Sequence, residues 1–459
     1  MALAEDRLCE YAASLGDREF SMDTRQRVGQ ALLDWFTAGW SGAGLAAATQ
    51  LRTLAESIFP GSSRAPVFGA PARLTAIGAA FANAGVTHLR EIDDAHRTAL
   101  LHPGIVAISP ALALAADDNV STARLTAAIV AGYEVALRVG QVLGSDHSGK
   151  FHSTATAGSL GAAAASAVVL GLDAGQFHHA LGIAATQAAG LWQFIDDAAH
   201  EAKVLHPAFA VRNGMTAAYA AKAGYPGAKA FITGRRGMYA LLHANGPLES
   251  LDADLGKLDR IHTTTIKPWP TCGQLFTAVG AVQALLDLHS PAPSDIESVD
   301  IAIFPQALRI AAVDWPAKPA ETSFSGRYCA AVLLAKGRLG IEDMEAPDFS
   351  YPGLQELAAR IRVRAEPEYA AAFPDRRPCT VTIKMKDGRV LAAMRDIRRG
   401  DPEDPFDWEG LDRRLREFVP GIAESDAAAV AGWCRRLPNQ DMSQSFRSPP
   451  ASLFYKVAE

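Results

Sequence analysis

Three short segments gather the residues able to move a proton or hold a carboxylate. Phe151-His152-Ser153-Thr154-Ala155-Thr156-Ala157-Gly158 places a histidine at the entrance of an Ala-rich helix. Ser153 or Thr154 stands where it would cap that helix, and the free backbone N–H groups of such an entrance attract anions, so the place suits a carboxylate. Glu201-Ala202-Lys203-Val204-Leu205-His206-Pro207 sets a lysine and a histidine before a second Ala-rich helix, which bears Arg212 and Asn213. A lysine against apolar walls either gives up its proton readily and serves proton transfer, or stays charged and pairs with a substrate carboxylate. Glu91-Ile92-Asp93-Asp94-Ala95-His96, followed by His102-Pro103-Gly104, puts two adjacent carboxylates near histidines, the makings of an acid and a base. Each segment also has a plainer reading: a capping histidine, a solvated lysine, and an acid pair capping a helix.

Other candidate chemistries find less support. Gly144 to Lys150 follows most of a phosphate-binding loop, but Phe151 stands where the magnesium-binding hydroxyl belongs and a helix precedes it, so an ordinary Gly-rich loop is expected. No dinucleotide fingerprint follows a strand and no nucleophile elbow occurs. His178-His179 and the pair His200 and His206 lack the spacing that sets two metal ligands on one helix face, so no metal site is expected. Cys9, Cys272, Cys329, Cys379 and Cys434 are odd in number and never form Cys-x-x-Cys, which fits a reducing compartment.

The elements that must position these groups follow from periodicity. The 459 residues imply two or three domains, or one large domain with a satellite. From residue 1 to about 262, apolar residues recur at three- and four-residue spacing. Leu125–Leu143, Ser153–Leu170, Ala174–Ala189 and Ala208–Ala223 each read as a helix, and their small side chains predict close-packed pairs. After Lys267-Pro268-Trp269-Pro270 the grammar changes. A helix over Gly273–Leu288 leads to alternation at Val299, Ile301 and Ile303, then a helix over Gly326–Ala335 and a strand at Ile361 and Val363. Val381 to Val390 reads as a hairpin turning at Asp387-Gly388. A helix then opens at Asp407 or Trp408 and runs to Phe418, so the chain end is expected to rejoin the helical part.

Composition bounds the partners. With 44 Lys+Arg against 50 Asp+Glu, a net charge of -6 and no basic face, the electrostatic argument for nucleic acid is removed and no nucleic-acid partner is expected. With 49% apolar residues the chain has ample material for a core, which excludes disorder. The start of the chain carries Glu5 and Asp6 where a signal peptide needs a basic region, and Leu160 to Leu172 is too short to span a bilayer, so a cytoplasmic location and no membrane partner are expected.

Taken together, the segments resemble the MmgE/PrpD family. The resemblance runs in order through Ile92-Asp93-Asp94-x-His96, His102-Pro103-Gly104, Ser109-Pro110-Ala111-Leu112-Ala113, Gly132-Tyr133-Glu134, and Phe151-His152-x-Thr154 with Gly158. It continues through Gly161 to Ala165 with Leu170 to Asp173, Ala180 to Ala184, Lys203-x-x-His206 with Asn213-Gly214, and Lys267 to Pro270. It implies a mainly α fold with a smaller α+β domain: a large all-α domain built from both chain ends (1–265 and 403–459) and an inserted α+β lid (266–402), paired as a homodimer. It also implies a cofactor-independent enzyme, without metal, acting on a small di- or tricarboxylate by proton transfer next to a carboxylate.

Position by position, His152, Lys203 and His102 match the family's pocket histidine, lysine and loop histidine, and Tyr328 matches a tyrosine that the lid contributes. These four are the implied catalytic set, with Asp93, Asp94, His96, Thr154, His206 and Cys272 as the substrate-binding set. The chain departs from the family at Glu91 and Ala95, where an Asp and a Thr are usual, and at Cys272, where dehydratase- and decarboxylase-like members supply a histidine. A lyase of dehydratase or decarboxylase type is the leading expectation. The alternatives are an epimerase of an iminodisuccinate-like acid, which Cys272 favours, and an inactive dimeric carboxylate-binding protein.

Overall fold

The computed structural model describes residues 3–455 apart from 119, 198, 374, 447 and 448. The chain divides into two compact units, one of residues 1–265 with 411–459 and the other of residues 266–410.

The larger unit is built around the Ser153–Val169 helix, which is buried along its whole length. Thr122–Ser148, Leu205–Lys222, Pro103–Asp117 and Ala174–Ala185 pack around it. Small side chains make this possible: a Cβ on Gly161 would lie 2.7 Å from Ala136 Cβ, and one on Gly214 would lie 2.5 Å from the Ala163 nitrogen. At such approach even a methyl group forces the backbones apart. The Thr122–Ser148 helix is long and apolar enough to cross a membrane, and here it is surrounded by protein.

Three details differ from the sequence expectations. The Gly-rich stretch after Gly144 is not a loop: the helix kinks at Gly144 (φ 74°) and continues to Ser148. The Ala174 helix stops at Ala185 instead of Ala189, and the chain then turns to Gly190. A short hairpin, Ala65–Val67 with Ala70–Leu74, interrupts the otherwise helical unit. Pro66 and Pro71 in such short strands leave no alternating pattern to read.

In the smaller unit a sheet runs Ile361–Ala365, Ile296–Ile303, Cys379–Met385, Val390–Arg395 in spatial order. The first pair is parallel and the other two are antiparallel. The parallel pair requires a crossover, and the Gly326–Lys336 helix lies within it. The final hairpin turns at Gly388, whose φ of 89° glycine adopts without steric cost. Phe276–His289 and Gly326–Lys336 pack on the sheet to enclose one apolar core.

Candidate active site

In the larger unit, four helix ends meet around a set of imidazoles. His102 is the N-cap of Pro103–Asp117 and His152 the N-cap of Ser153–Val169. His206 lies in the first turn of Leu205–Lys222, and His88 is the last residue of Ala76–His88. The expectation that Ser153 or Thr154 caps its helix fails: the entrance has no side-chain cap, and Thr154 Oγ1 instead accepts from the His102 backbone N–H at 3.1 Å. Ser153 Oγ is buried without a partner among the described residues.

His102 is held from two sides. Its Nδ1 lies 3.0 Å from Asp93 Oδ2 and 2.9 Å from the Asp94 carbonyl oxygen. Both are acceptors only, so Nδ1 carries the hydrogen and Nε2 presents a lone pair. Asp93 also receives His88 Nδ1, 3.2 Å from each carboxylate oxygen. Burial raises the proton affinity of Asp93, yet the two histidines outweigh it and hold the carboxyl well below the usual range. The sequence placed Asp93 among substrate-binding residues; the structure makes it the anchor of two imidazoles.

Asp94 is buried behind it. It accepts from the Gly104 N–H at 2.9 Å and the Tyr133 hydroxyl at 2.8 Å, while its own N–H donates to Asp34 at 3.0 Å. Burial and the nearby Asp34 carboxylate weaken it as an acid, raising its pKa to about 7. Asp34 in turn pairs with Arg414 at 2.8 Å, and Arg414 donates to the Ile92 carbonyl. The buried acids therefore sustain the loop geometry. His96 is also withdrawn: Nε2 lies 3.0 Å from Thr263 Oγ1, and Nδ1 accepts from the Ala99 N–H at 3.0 Å. Both His96 nitrogens are thus hydrogen-bonded within the larger unit.

His152 Nδ1 lies 3.2 Å from His206 Nδ1, so one of the two donates. Burial first, then His88 and Lys203 nearby, push His152 well below the ordinary histidine value. The same causes bring His206 to about 4. Both rings are thus neutral near pH 7. Lys203 pairs with Glu91, whose backbone occupies the left-handed region at φ 53°. Trp192 walls the group, its ring 4.8 Å from His152 and 6.0 Å from Lys203 Nζ. Gly190 accepts the His152 N–H at 2.8 Å.

Two expected site residues lie in the other unit. Tyr328 sits in its apolar core, 1% exposed, and its hydroxyl donates to the Asp343 carbonyl at 2.6 Å. Burial pushes the phenol's proton affinity up. The structure thus places the Tyr328 side chain within this core, with its hydroxyl bonded to a backbone carbonyl. Cys272 is half-buried against the same core, its N–H donating to Ser323 at 2.9 Å.

Sequence reading missed His88, Asp34 and Arg414. The available signal was a charged or polar residue on an apolar helix face: Asp34 within Leu32-Leu33-Asp34-Trp35-Phe36, and His88 ending a run of buried residues. His88, His102 and His152 offer one donor atom each within 4.8 Å of one another. With Lys203 near His152, the three imidazoles also form a set of proton acceptors beside a lysine.

Comparison with known proteins places both parts of the chain in one family. Residues 6–250 match the family model described as the MmgE/PrpD N-terminal domain, and residues 269–433 match the MmgE/PrpD C-terminal domain. A cis-aconitate decarboxylase of Mus musculus is 26% identical over 412 residues, covering 85% of this chain and 81% of the relative. One of Aspergillus terreus is 28% identical over 294 residues, 61% of this chain and 59% of the relative. A cis-aconitate decarboxylase-like protein of Aspergillus oryzae is 32% identical over 295 residues, with the same shares.

Proposed function

The chain belongs to the MmgE/PrpD family, matched in both domains, and on that premise we propose that it is a lyase of decarboxylase type acting on a small unsaturated tricarboxylate such as cis-aconitate. The observation that carries this reading is His102: Asp93 and the Asp94 carbonyl fix its hydrogen on Nδ1 and leave Nε2 as a base beside Lys203 and His152. The relatives named cis-aconitate decarboxylase support the substrate class.

The chemistry follows from the groups present. The helix entrances at His102 and His152 direct positive dipole ends toward a bound anion, and Lys203 adds a full charge. When CO2 leaves, the carbon–carbon bond electrons stay on the substrate and are relieved by a new C–H bond. An imidazole that has taken a proton from water at Nε2 supplies it, with Asp93 stabilising the imidazolium. The same nitrogen, starting neutral, would remove a proton from carbon in an elimination or an epimerisation. The protein is expected to need no metal or organic cofactor.

The test is to incubate purified protein with cis-aconitate, with citrate-like hydroxy acids and with amino- and iminodicarboxylates. Released CO2 from cis-aconitate supports the proposal. Loss of water from a hydroxy acid, or optical inversion of an amino acid without loss of mass, would replace it with the dehydratase or epimerase reading.

A further inference from the structure

His88 is 0% exposed, and its Nε2 is buried without a partner among the described residues. A buried imidazole nitrogen left unsatisfied costs stability, so the position calls for an explanation beyond packing. Its surroundings supply one. Nδ1 shares the Asp93 carboxylate with His102, the ring stacks on His152 at 5.7 Å and 24° between planes, and it meets His102 edge-on at 4.8 Å.

We propose that His88 is a positioning residue of the proton-transfer site, which divides the Asp93 carboxylate with His102 and braces the His152 ring from behind. This rests on the reading of His102 as the reacting base. The consequence is electrostatic as well as steric. An anion that accepts from two imidazoles stabilises the protonated form of each less than an anion serving one. His88 therefore keeps His102 able to shed its proton, whereas a lone His102–Asp93 pair would hold it. The groups facing His88 are Asp93 on the acid loop, His102 and His152 at two helix entrances, and His206 in the first turn of a third, with Lys203 acting on His152 and His206. Beyond Asp93 stand Asp34 and Arg414. Every imidazole in this set loses a cation-repelling or carboxylate-sharing neighbour if His88 is removed, so their shifts share one sign.

The experiment compares wild type, His88→Phe and His88→Asn, the last keeping a side-chain N–H near the position of Nδ1. Histidine labelled with 13C at Cε1 reports each ring's titration in the substrate-free protein, with His102 assigned through His102→Gln. In His88→Phe the His102 midpoint rises by about one pH unit or more, and His88→Asn returns it most of the way. In turnover of cis-aconitate, where the protonated imidazole supplies the proton, the alkaline limb of kcat/KM moves up by the same amount in His88→Phe while KM stays within twofold. An unchanged His102 midpoint in a folded His88→Phe protein overturns the proposal. If His88→Phe does not fold, an His88→Asn midpoint displaced as far as that of a folded His88→Leu protein overturns it too. Absence of turnover in wild type would count against the decarboxylase reading alone, because the titration stands without it.

Discussion

Asp93 and the Asp94 carbonyl both face Nδ1 of His102, so the reacting nitrogen is set by hydrogen bonding before any substrate arrives. Removing that nitrogen in His102→Gln is expected to lower turnover by about 100-fold or more, with the fold intact by circular dichroism. A variant with full turnover would remove His102 from the chemistry. Asp94 gives a prediction of different kind. Its pKa in the folded chain is raised to about 7 from an ordinary 3.8. The folded state thus holds a proton that the unfolded state releases between those values, and this stability is present at low pH and lost as pH rises toward 7. His206 acts oppositely: its folded value of about 4 lies below the ordinary 6.5, so its contribution is lost as pH falls. The difference in melting temperature between wild type and Asp94→Asn isolates the first effect and should favour wild type more at pH 5 than at pH 8. Equal differences at both pH values would contradict the assignment. Because the site uses protons and a lysine, turnover should also survive exhaustive chelation; its loss on chelation, with recovery on adding zinc, would convert the three imidazoles into a metal centre.

At the scale of elements, the helix entrances place the chemistry and two glycines make the entrances fit. A Cβ on Gly104 would lie 2.7 Å from Asp94 Oδ1 and 2.8 Å from the Tyr133 hydroxyl, inside the bonds that set the acid loop. Gly190 has φ 145°, and a Cβ there would lie 2.5 Å from Ala155 Cβ, just where its carbonyl holds the His152 N–H. Gly190→Ala should therefore displace His152 and cut kcat/KM by about 10- to 100-fold, measured beside an unchanged melting profile. An unaffected rate would mean that the Gly190 turn does not position the histidine. The helices themselves were legible because their apolar periodicity survives in single residues: Ser153–Val169 differs from the expected span by one residue. The Ala185 stop was not, because what ends that helix is the turn to Gly190, a tertiary demand rather than a local signal. His102, His152 and Lys203 were legible as polar residues at helix starts. His88 was not, since a histidine at the end of a buried helix reads as packing until its contacts are known.

The larger unit as a whole depends on its late-sequence segment. Arg414 reaches the Asp34 carboxylate and the Ile92 carbonyl, so residues from the chain's last part fix the backbone immediately before Asp93. Arg414→Met leaves the buried Asp34 carboxyl without its cation, and breaking such a pair typically costs about 3–5 kcal/mol; denaturant unfolding followed at the larger unit checks it. A companion Asp34→Asn change should recover part of that loss, and no recovery would show that Arg414 acts through packing alone. Periodicity announced that the chain end is helical, but the partner of Arg414 lies hundreds of residues away, and no local pattern encodes it. Tyr328 shows the converse. Its match to a family pocket residue was legible, yet the structure spends its hydroxyl inside the smaller unit's core.

The central claim is that His102 moves a proton at carbon next to a substrate carboxylate. Proton NMR of cis-aconitate incubated with the protein in D2O tests it directly. CO2 release with deuterium delivered to the product carbon, both lost in folded His102→Gln, is the predicted result. Full CO2 release by His102→Gln, or neither decarboxylation nor deuterium uptake by wild type, would contradict it.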